Sequence, residues 1–266
     1  MKLVILRNHL LEGLNVIERA IGDNVNLPIL KNFLFRSEEE ISLISTNLEL
    51  AIKHILPGKI IEKGEITIPF FVFKNIISNL NSERITIEQK EKQLFINTDN
   101  YEAVIQGQSS REYPIIPTIQ SKKESIKIEI SLLKEALSQI VIATQYSEIR
   151  PEISGVFFFR RDEVLTFVAT DSFRLAEKKI DPAKFSSNFE KISVIIPLKT
   201  AQELLRILKD QDEPVSIYSD VNQIVFETKI QQITSRLITG NFPEYQAIIP
   251  KQTEMEMTIN RQEFLN

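Results

Sequence analysis

"PILKNFLFRSEEEISLISTNLELA" (residues 28–51) lies over "PEISGVFFFRRDEVLTFVATDSFRLA" (151–176) in the same chain. The alignment pairs Arg36 with Arg160 and Thr46 with Thr170, and both members of each pair are separated by about 124 residues. A match of this length indicates an internal repeat, and a repeat decides the fold before any single element is considered.

Further matches follow in the same order along the chain. They are "ILRNHLLEGL" (5–14) with "IEISLLKEAL" (128–137), "IPFFVFKNIISNL" (68–80) with "IPLKTAQELLRIL" (196–208), "QLFIN" (93–97) with "QIVFE" (223–227), and "REYPIIP" (111–117) with "NFPEYQAIIP" (241–250). Because their separations drift smoothly along the chain, chance does not explain them. The sequence therefore predicts two tandem copies of one domain.

The last residues match the opening of each copy. "INRQEFLN" (259–266) lies over the segments that begin at Ile5 and Ile128, which predicts the first strand and the helix start of a third copy. We therefore expect domains at 1–121 and 122–251 and a truncated third domain at 252–266. A helix cut off so early cannot bury its apolar face, so we expect the natural protein to be longer than this chain.

Composition excludes several classes of protein. Of 266 residues, 42% are hydrophobic and 26% are charged, which is typical of a globular chain. No apolar run approaches the 18 or so residues of a membrane span, so a cytoplasmic location is expected. The chain has no cysteine and two histidines, which excludes disulfides, thiolate catalysis and a histidine-rich metal cage. No metal and no cofactor are expected.

Hydrophobic periodicity predicts an α+β fold, in which each copy is a two-layer unit of two helices packed on antiparallel sheet. In the first copy the helices are expected near 8–21 and 71–80. The strands of that copy are expected near 2–6, 32–36, 41–46, 48–56, 65–69, 84–89, 92–97 and 101–107.

Three motifs carry a resemblance to a known family. They are "LPIL" (27–30), "ATDSFRLA" (169–176) and "NFPEY" (241–245), set in tandem α+β copies. Together they resemble the bacterial DNA polymerase III beta subunit, the sliding clamp family. The resemblance implies the DNA clamp fold, in which two three-domain chains close head to tail into a ring. Such a ring holds duplex DNA by topology, without sequence preference, and acts at the nucleoid.

A basic stripe is predicted on the helix near 198–209. Its members lie opposite an apolar face, and spacing alone favours a solvated helix face over a binding site. The net charge of −4 also argues against tight binding to a polyanion. The resemblance instead implies a pore that contacts DNA weakly. The DNA-facing residues that it implies are Lys199, Arg206, Lys209, Lys74, Arg19 and Lys134.

The resemblance also implies a pocket for linear motifs of polymerase subunits, the clamp loader and repair polymerases. Apolar anchors of such motifs need a preformed apolar cleft with a few polar groups. Read from the residues alone, the same stretch is a strand pair with a tight turn at Asp171 and Ser172. The pocket residues that the family implies are Ile153, Thr170, Ser172, Phe173, Arg174, Leu175, Pro243, Ala247 and Ile248.

Two alternative functions are open at this point. The two-domain, three-chain clamps of archaea and eukaryotes have chains of about this length, although the motifs above oppose that interpretation. A hydrolase would combine Ser172 with a histidine, but the sequence has no glycine-flanked nucleophile elbow and no phosphate-binding loop. We therefore expect no catalytic residue and no enzyme activity.

Overall fold

The computed structural model describes residues 1–119, 122–209, 213–250 and 255–265. Its helices and strands fall into two sets that follow the same order along the chain. The predicted boundaries at 121/122 and 251/252 fall at or within the gaps between these ranges, so the domain division stays a prediction.

The first set contains nine strands and two α-helices. The strands are β1 (Lys2–Leu6), β2 (Asn32–Ser37), β3 (Ile41–Thr46), β4 (Leu50–Leu56), β5 (Lys59–Glu62), β6 (Gly64–Pro69), β7 (Arg84–Lys90), β8 (Gln93–Asn97) and β9 (Glu102–Gln106). The helices are α1 (Arg7–Ile17) and α2 (Phe70–Asn79). Both predicted helices are confirmed, although a 3₁₀ turn (Glu18–Ala20) completes the first one. The short strand β5 was missed by the sequence analysis.

The second set repeats the first, element for element. Its strands are β10 (Ile126–Glu129), β11 (Gly155–Arg161), β12 (Val164–Thr170), β13 (Leu175–Ile180), β14 (Phe185–Ser187), β15 (Ile192–Pro197), β16 (Pro214–Ser219), β17 (Gln223–Glu227) and β18 (Gln231–Arg236). Its helices are α3 (Ile130–Ile140) and α4 (Leu198–Ile207). Each element of the first copy therefore has a counterpart, from β1 with β10 to β9 with β18.

All strand pairs within the described ranges are antiparallel. One sheet of the first copy has the order β5-β1-β7-β8-β9, and one sheet of the second copy has the order β13-β12-β11-β15. The third sheet runs β14-β10-β16-β17-β18-β4-β3-β2-β6 and so contains strands of both copies. It is continuous because β18 pairs with β4, from Gln231 opposite His54 to Ser235 opposite Leu50. Each copy thus holds its strands in two sheets.

The helices pack with their apolar faces against the sheets. Alternation in β1 points Leu3 and Ile5 inward, and Leu10, Leu14 and Ile17 form the buried face of α1. The same pattern recurs in α3 and α4. One continuous apolar core joins these helices to the strands of both copies.

Residues 255–265 correct one expectation. Arg261–Leu265 forms a short helix, α5, whose start is capped by Asn260 Oδ1 accepting from the Gln262 and Glu263 amides. The predicted first strand of the third copy is not formed at residues 255–260, and no strand of the described ranges pairs with them. Among the described helices, none is long and apolar enough to cross a membrane.

His54 lies in β4 at the joint between the copies, beneath α1. Its ring is almost fully buried, and a Cβ placed on Gly13 of α1 would come within 3.0 Å of His54 Cδ2. Burial lowers the pKa of His54 from 6.5 to about 4, against the opposing attraction of Glu12. The folded protein therefore requires a neutral imidazole here.

This burial predicts a pH-dependent stability. Between pH 6.5 and about 4 the unfolded chain binds a proton at residue 54 that the folded protein does not. The stability contributed by the neutral His54 ring is thus fully present above pH 6.5. As the pH falls toward 4, the free energy of unfolding decreases by about 3 kcal/mol in total. Denaturant unfolding between pH 7 and pH 4 measures this loss. His54→Gln, which cannot titrate, should be less stable at pH 7 but should show a flatter profile, and parallel profiles for the two proteins would contradict the assignment.

Candidate functional site

The predicted basic residues lie on the helices, and several of them meet acids across the joint between the copies. Lys209, directly after α4, forms an ion pair with Glu12 of α1. Arg19, in the 3₁₀ turn after α1, approaches Glu203 of α4 at 3.8 Å. Lys209 and Arg19 therefore bridge the first and second copies.

Glu203 is the residue that the sequence analysis missed. It is almost completely buried, and its Oε1 accepts a hydrogen bond from Arg206 Nη1 at 2.7 Å. Its spacing of three residues from Arg206 on one helix was the available signal. Glu203 partly neutralises both Arg19 and Arg206, so the basic stripe carries less free charge than its composition indicates.

Glu12 shows the same effect from the acidic side. The hydrogen bond from Lys209 holds the pKa of the Glu12 carboxyl below its usual range, even though partial burial opposes this. The ion pair is half-exposed, so its main consequence is to orient two long side chains across the joint and not to add much stability.

The remaining predicted cations differ in their surroundings. Lys74 of α2 forms an ion pair with Glu18 at 2.7 Å and lies 5.8 Å from the centre of the Phe70 ring. Lys134 lies half-buried on α3. Lys199 is exposed at the start of α4, and no carboxylate of the described ranges forms an ion pair with it. Lys199 is therefore the most available cation on this helix.

The predicted partner pocket is organised by the turn between β12 and β13. Thr170 Oγ1 donates to Arg174 O at 2.6 Å and accepts from the Ser172 amide, and Ser172 has a left-handed φ of 77°. Asp171 accepts from the Arg174 and Phe173 amides, which hold the pKa of its carboxyl below the usual range. The expected tight turn is confirmed, and it leaves the Phe173 side chain almost fully exposed.

A 3₁₀ turn (Pro151–Ile153) lies against this hairpin. Arg150 Nη1 donates to Ser172 Oγ at 2.8 Å, and Ile153 is buried just before β11 begins. Gly155, the first residue of β11, has room for no side chain, because a Cβ there would lie 2.3 Å from Ile196 O. The absence of a Cβ allows β11 and β15 to approach closely just after the buried Ile153.

The segment 241–248 forms the third side. Tyr245 Oη donates to Glu177 Oε1 of β13 at 2.6 Å, and burial, together with this carboxylate, raises the pKa of Tyr245 to about 12. The Tyr245 ring packs in a cluster with Val168, and Leu175 is partly buried against the same cluster. Leu175 thereby links the hairpin to the segment that carries Pro243, Ala247 and Ile248.

The nine predicted pocket residues thus come from three segments that contact one another. Ala247 and Ile248 are exposed and Leu175 is half-buried, so apolar surface is open beside the hairpin. Pro243 also lines a neighbouring cavity of about 750 Å³, next to Phe157 and Phe242, whose rings stack at 4.8 Å. Arg174 pairs with Asp171 at 3.0 Å and stays at the surface.

The geometry gives no support to a hydrolase. The Ser172 hydroxyl accepts a hydrogen bond from the Arg150 guanidinium, while His9 and His54 lie on α1 and β4 of the other copy. A serine nucleophile needs a base within hydrogen-bond reach. In the part of the chain that the structure describes, no cluster of three or more His, Asp or Glu side chains is arranged to hold a metal ion.

Comparison with known proteins identifies the fold. Residues 1–117 match the N-terminal domain of the DNA polymerase III beta subunit, and residues 127–244 match its central domain. A beta sliding clamp of Staphylococcus epidermidis is 30% identical, with 99% of this chain and 72% of that protein covered. A beta sliding clamp of Synechococcus elongatus is 29% identical, with 100% of this chain and 72% of that protein covered.

A solved structure agrees with these matches. The DNA polymerase sliding clamp of Bacillus subtilis superimposes with a TM-score of 0.93 at 29% identity, covering 100% of this chain and 72% of that one. These findings favour the bacterial type over the two-domain, three-chain clamps. The chain belongs to the DNA polymerase III beta subunit family, the bacterial sliding clamps, which are processivity factors and not enzymes.

Proposed function

We propose that this sliding clamp closes a head-to-tail ring by repeating between chains the strand pairing that joins its own two copies. The observation that carries the proposal is the pairing of β18 with β4. In the repeat, β9 is the counterpart of β18 and β13 is the counterpart of β4. Within the described ranges β9 pairs only with β8, and β13 pairs only with β12. Among the described strands, β9 of the first copy and β13 of the second copy therefore each have one unpaired edge of the kind that forms the joint.

The side chains at the open edge support this reading. Val104 of β9 lies opposite Phe95 in the ladder, as Thr234 of β18 lies opposite Val225. Thr234 is 7% exposed because the joint covers it, whereas Val104 is 50% exposed. Apolar residues at an unpaired strand edge invite a partner strand.

The helices repeat the pattern. Thr200 of α4 is 3% exposed and shares a 2.7 Å hydrogen bond with Ser235 Oγ. Its counterpart in α2 is Val72, which is 49% exposed. The joint between the two copies covers Thr200 and Thr234, whereas their counterparts Val72 and Val104 are exposed apolar residues. We assign Val72 and Val104 to the head-to-tail contact with a second chain.

We further propose that Lys199, Arg206, Lys209, Lys74, Arg19 and Lys134 face duplex DNA. Four of these cations already meet a carboxylate, which suits a pore that must hold DNA without binding it in one register; they are Arg19, Lys74, Arg206 and Lys209. The chain then works in the cytoplasm at the nucleoid. We keep 1–121, 122–251 and 252–266 as the proposed domain division.

The hairpin at 170–175, with Ile153 and the segment 243–248, is proposed as the docking pocket for linear motifs. Polymerase subunits, the clamp loader and repair polymerases are the proposed partners. Leu175, Pro243 and Ile248 supply apolar contacts for the anchors. Arg174 supplies a polar group that orients the peptide, and Thr170 holds the turn that presents it. Phe173, whose side chain is almost fully exposed, adds a further apolar contact.

Ring closure predicts protection of the β9 edge. The chain has no cysteine, so a single introduced thiol reports on one position only. Val104→Cys should react with a maleimide at least about tenfold more slowly in the assembled clamp than in dilute protein, because strand pairing excludes the reagent from the edge. Val221→Cys, an exposed position in the β16–β17 turn, is the control. Equal reactivity of both thiols after assembly would place the joint elsewhere.

The DNA-facing assignment predicts a loss of processivity. Lys199→Glu, alone and combined with Arg206→Glu, should shorten clamp-dependent synthesis, with roughly a tenfold effect for the pair, because repulsion replaces phosphate contacts. Primer extension on a long template at several salt concentrations is the measurement. The matched control is a double variant, Lys63→Glu with Lys92→Glu, at two exposed lysines on turns of the first copy. Equal processivity of the two double variants would show that α4 lies outside the pore.

The pocket assignment predicts a loss of peptide affinity. Leu175→Asp should weaken binding of a clamp-binding peptide by about 2 kcal/mol, roughly thirtyfold, because a charge replaces an apolar wall. Isothermal calorimetry gives the affinity. Val164→Asp in β12, a half-buried position at the far end of the same hairpin strand, is the control. If Leu175→Asp binds as tightly as the unmodified protein, the partners dock at another surface.

A further inference from the structure

A second groove crosses the outer face of the nine-stranded sheet at the joint between the copies. Its volume is about 550 Å³, within the size range of ligand pockets. Its floor is formed by four neighbouring strands, and its wall is the segment 110–118, which leaves the first copy. We call it the linker groove. The floor residues from β2, β3, β4 and β18 are Leu34, Ile44, Ala51 and Thr234.

The wall of the linker groove is preformed. Tyr113 is buried against Leu34 and Ile44, and its hydroxyl donates to Asn32 O at 3.3 Å. Burial raises the pKa of this tyrosine, so the hydroxyl keeps its proton. Pro114 follows and restricts the chain, and Ile115 is then 94% exposed at the rim. An apolar side chain held at an open rim is available to a bound peptide.

The linker groove has the same construction as the pocket of the second copy. Tyr113 packs over β2 and β3 as Tyr245 packs over β11 and β12. The turn between β3 and β4 also matches, since Thr46 Oγ1 donates to Leu50 O and Asn47 accepts from the Glu49 and Leu50 amides. This turn borders a smaller cavity of about 80 Å³ that adjoins the groove. In the linker groove, β18 of the next copy completes the floor.

The charged side chains that line the linker groove itself are basic, and two of the three meet a carboxylate beside it. Among the described residues that line it, the charged ones are Arg36, Lys53 and Arg111. Arg36 and Lys53 each hold one carboxylate at the rim, Glu65 at 2.9 Å and Glu40 at 2.5 Å. Arg111 is exposed, and no carboxylate of the described ranges pairs with it. An apolar floor with basic walls is complementary to acidic and apolar side chains.

We propose that the linker groove docks a short extended segment of a partner protein that carries alternating apolar and acidic side chains. The segment crosses the joint, with apolar residues on Leu34, Ile44 and Ile115 and a carboxylate on Arg111. A ligand at this place contacts both copies at once and therefore stabilises the closed joint. The assignment depends on the groove itself and not on the pocket at Leu175.

The probe is a fluorescein-labelled nonapeptide of alternating glutamate and leucine, and a peptide of alternating lysine and leucine is its control. Fluorescence anisotropy on the 266-residue chain should show at least tenfold tighter binding of the acidic peptide. Ile115→Asp and Arg111→Glu should each weaken that binding at least tenfold. The matched variants Ile149→Asp and Arg84→Glu, exposed positions away from the groove, should change it less than twofold.

Leu175→Asp separates this site from the proposed pocket. Unchanged binding of the acidic peptide by Leu175→Asp supports the linker groove, whereas loss in Leu175→Asp with no effect of Ile115→Asp would overturn it. No binding by the unmodified chain would overturn it as well. Self-association in sedimentation velocity that Ile115→Asp abolishes would assign the groove to a second copy of the chain and would also reject the proposal.

Discussion

The pairing of β18 with β4 is the constraint on which the rest of the molecule depends. Five residue pairs join strands that belong to different copies, and the result is one sheet of nine strands in place of two separate edges. Backbone hydrogen bonds set the register to a single residue. That register brings α4 beside α1, so that Glu203 meets Arg19 and Lys209 meets Glu12. The ion pairs between the helices and the linker groove both result from this one strand pairing.

The repeat explains why the two copies differ where they do. The joint buries Thr200 and Thr234, while the counterparts Val72 and Val104 stay exposed and apolar. A chain of identical units would present identical residues at covered and uncovered joints. In the proposed ring, this exchange of threonine for valine would give each joint its own surface chemistry and so restrict pairing to the correct partner edge.

Much of the fold was predictable because its signals are local. Periodicity located α1 and α2 within a few residues, and the repeat carried these elements onto the second copy. Strand β5 was not found because only four residues form it and three of them are exposed. The β18–β4 pairing was beyond prediction from pattern, since nothing in either strand specifies its neighbour. At the site, the turn at Asp171 and Ser172 was predictable from residue type, whereas burial of Glu203 depends on packing across the joint.

The same joint also limits when the nine-stranded sheet can form during synthesis of the chain. Strand β4 ends at Leu56, but its neighbour β18 ends at Arg236. A ribosome adding roughly 5–20 residues per second needs about ten to forty seconds to complete the intervening chain. Throughout that interval the first copy can fold with β4 as an open edge. The nascent protein thus passes through a stage in which one strand edge stays unpaired. Lys53, a charged residue on that edge that is only partly covered even in the finished sheet, disfavours pairing with a strand of another molecule during this stage.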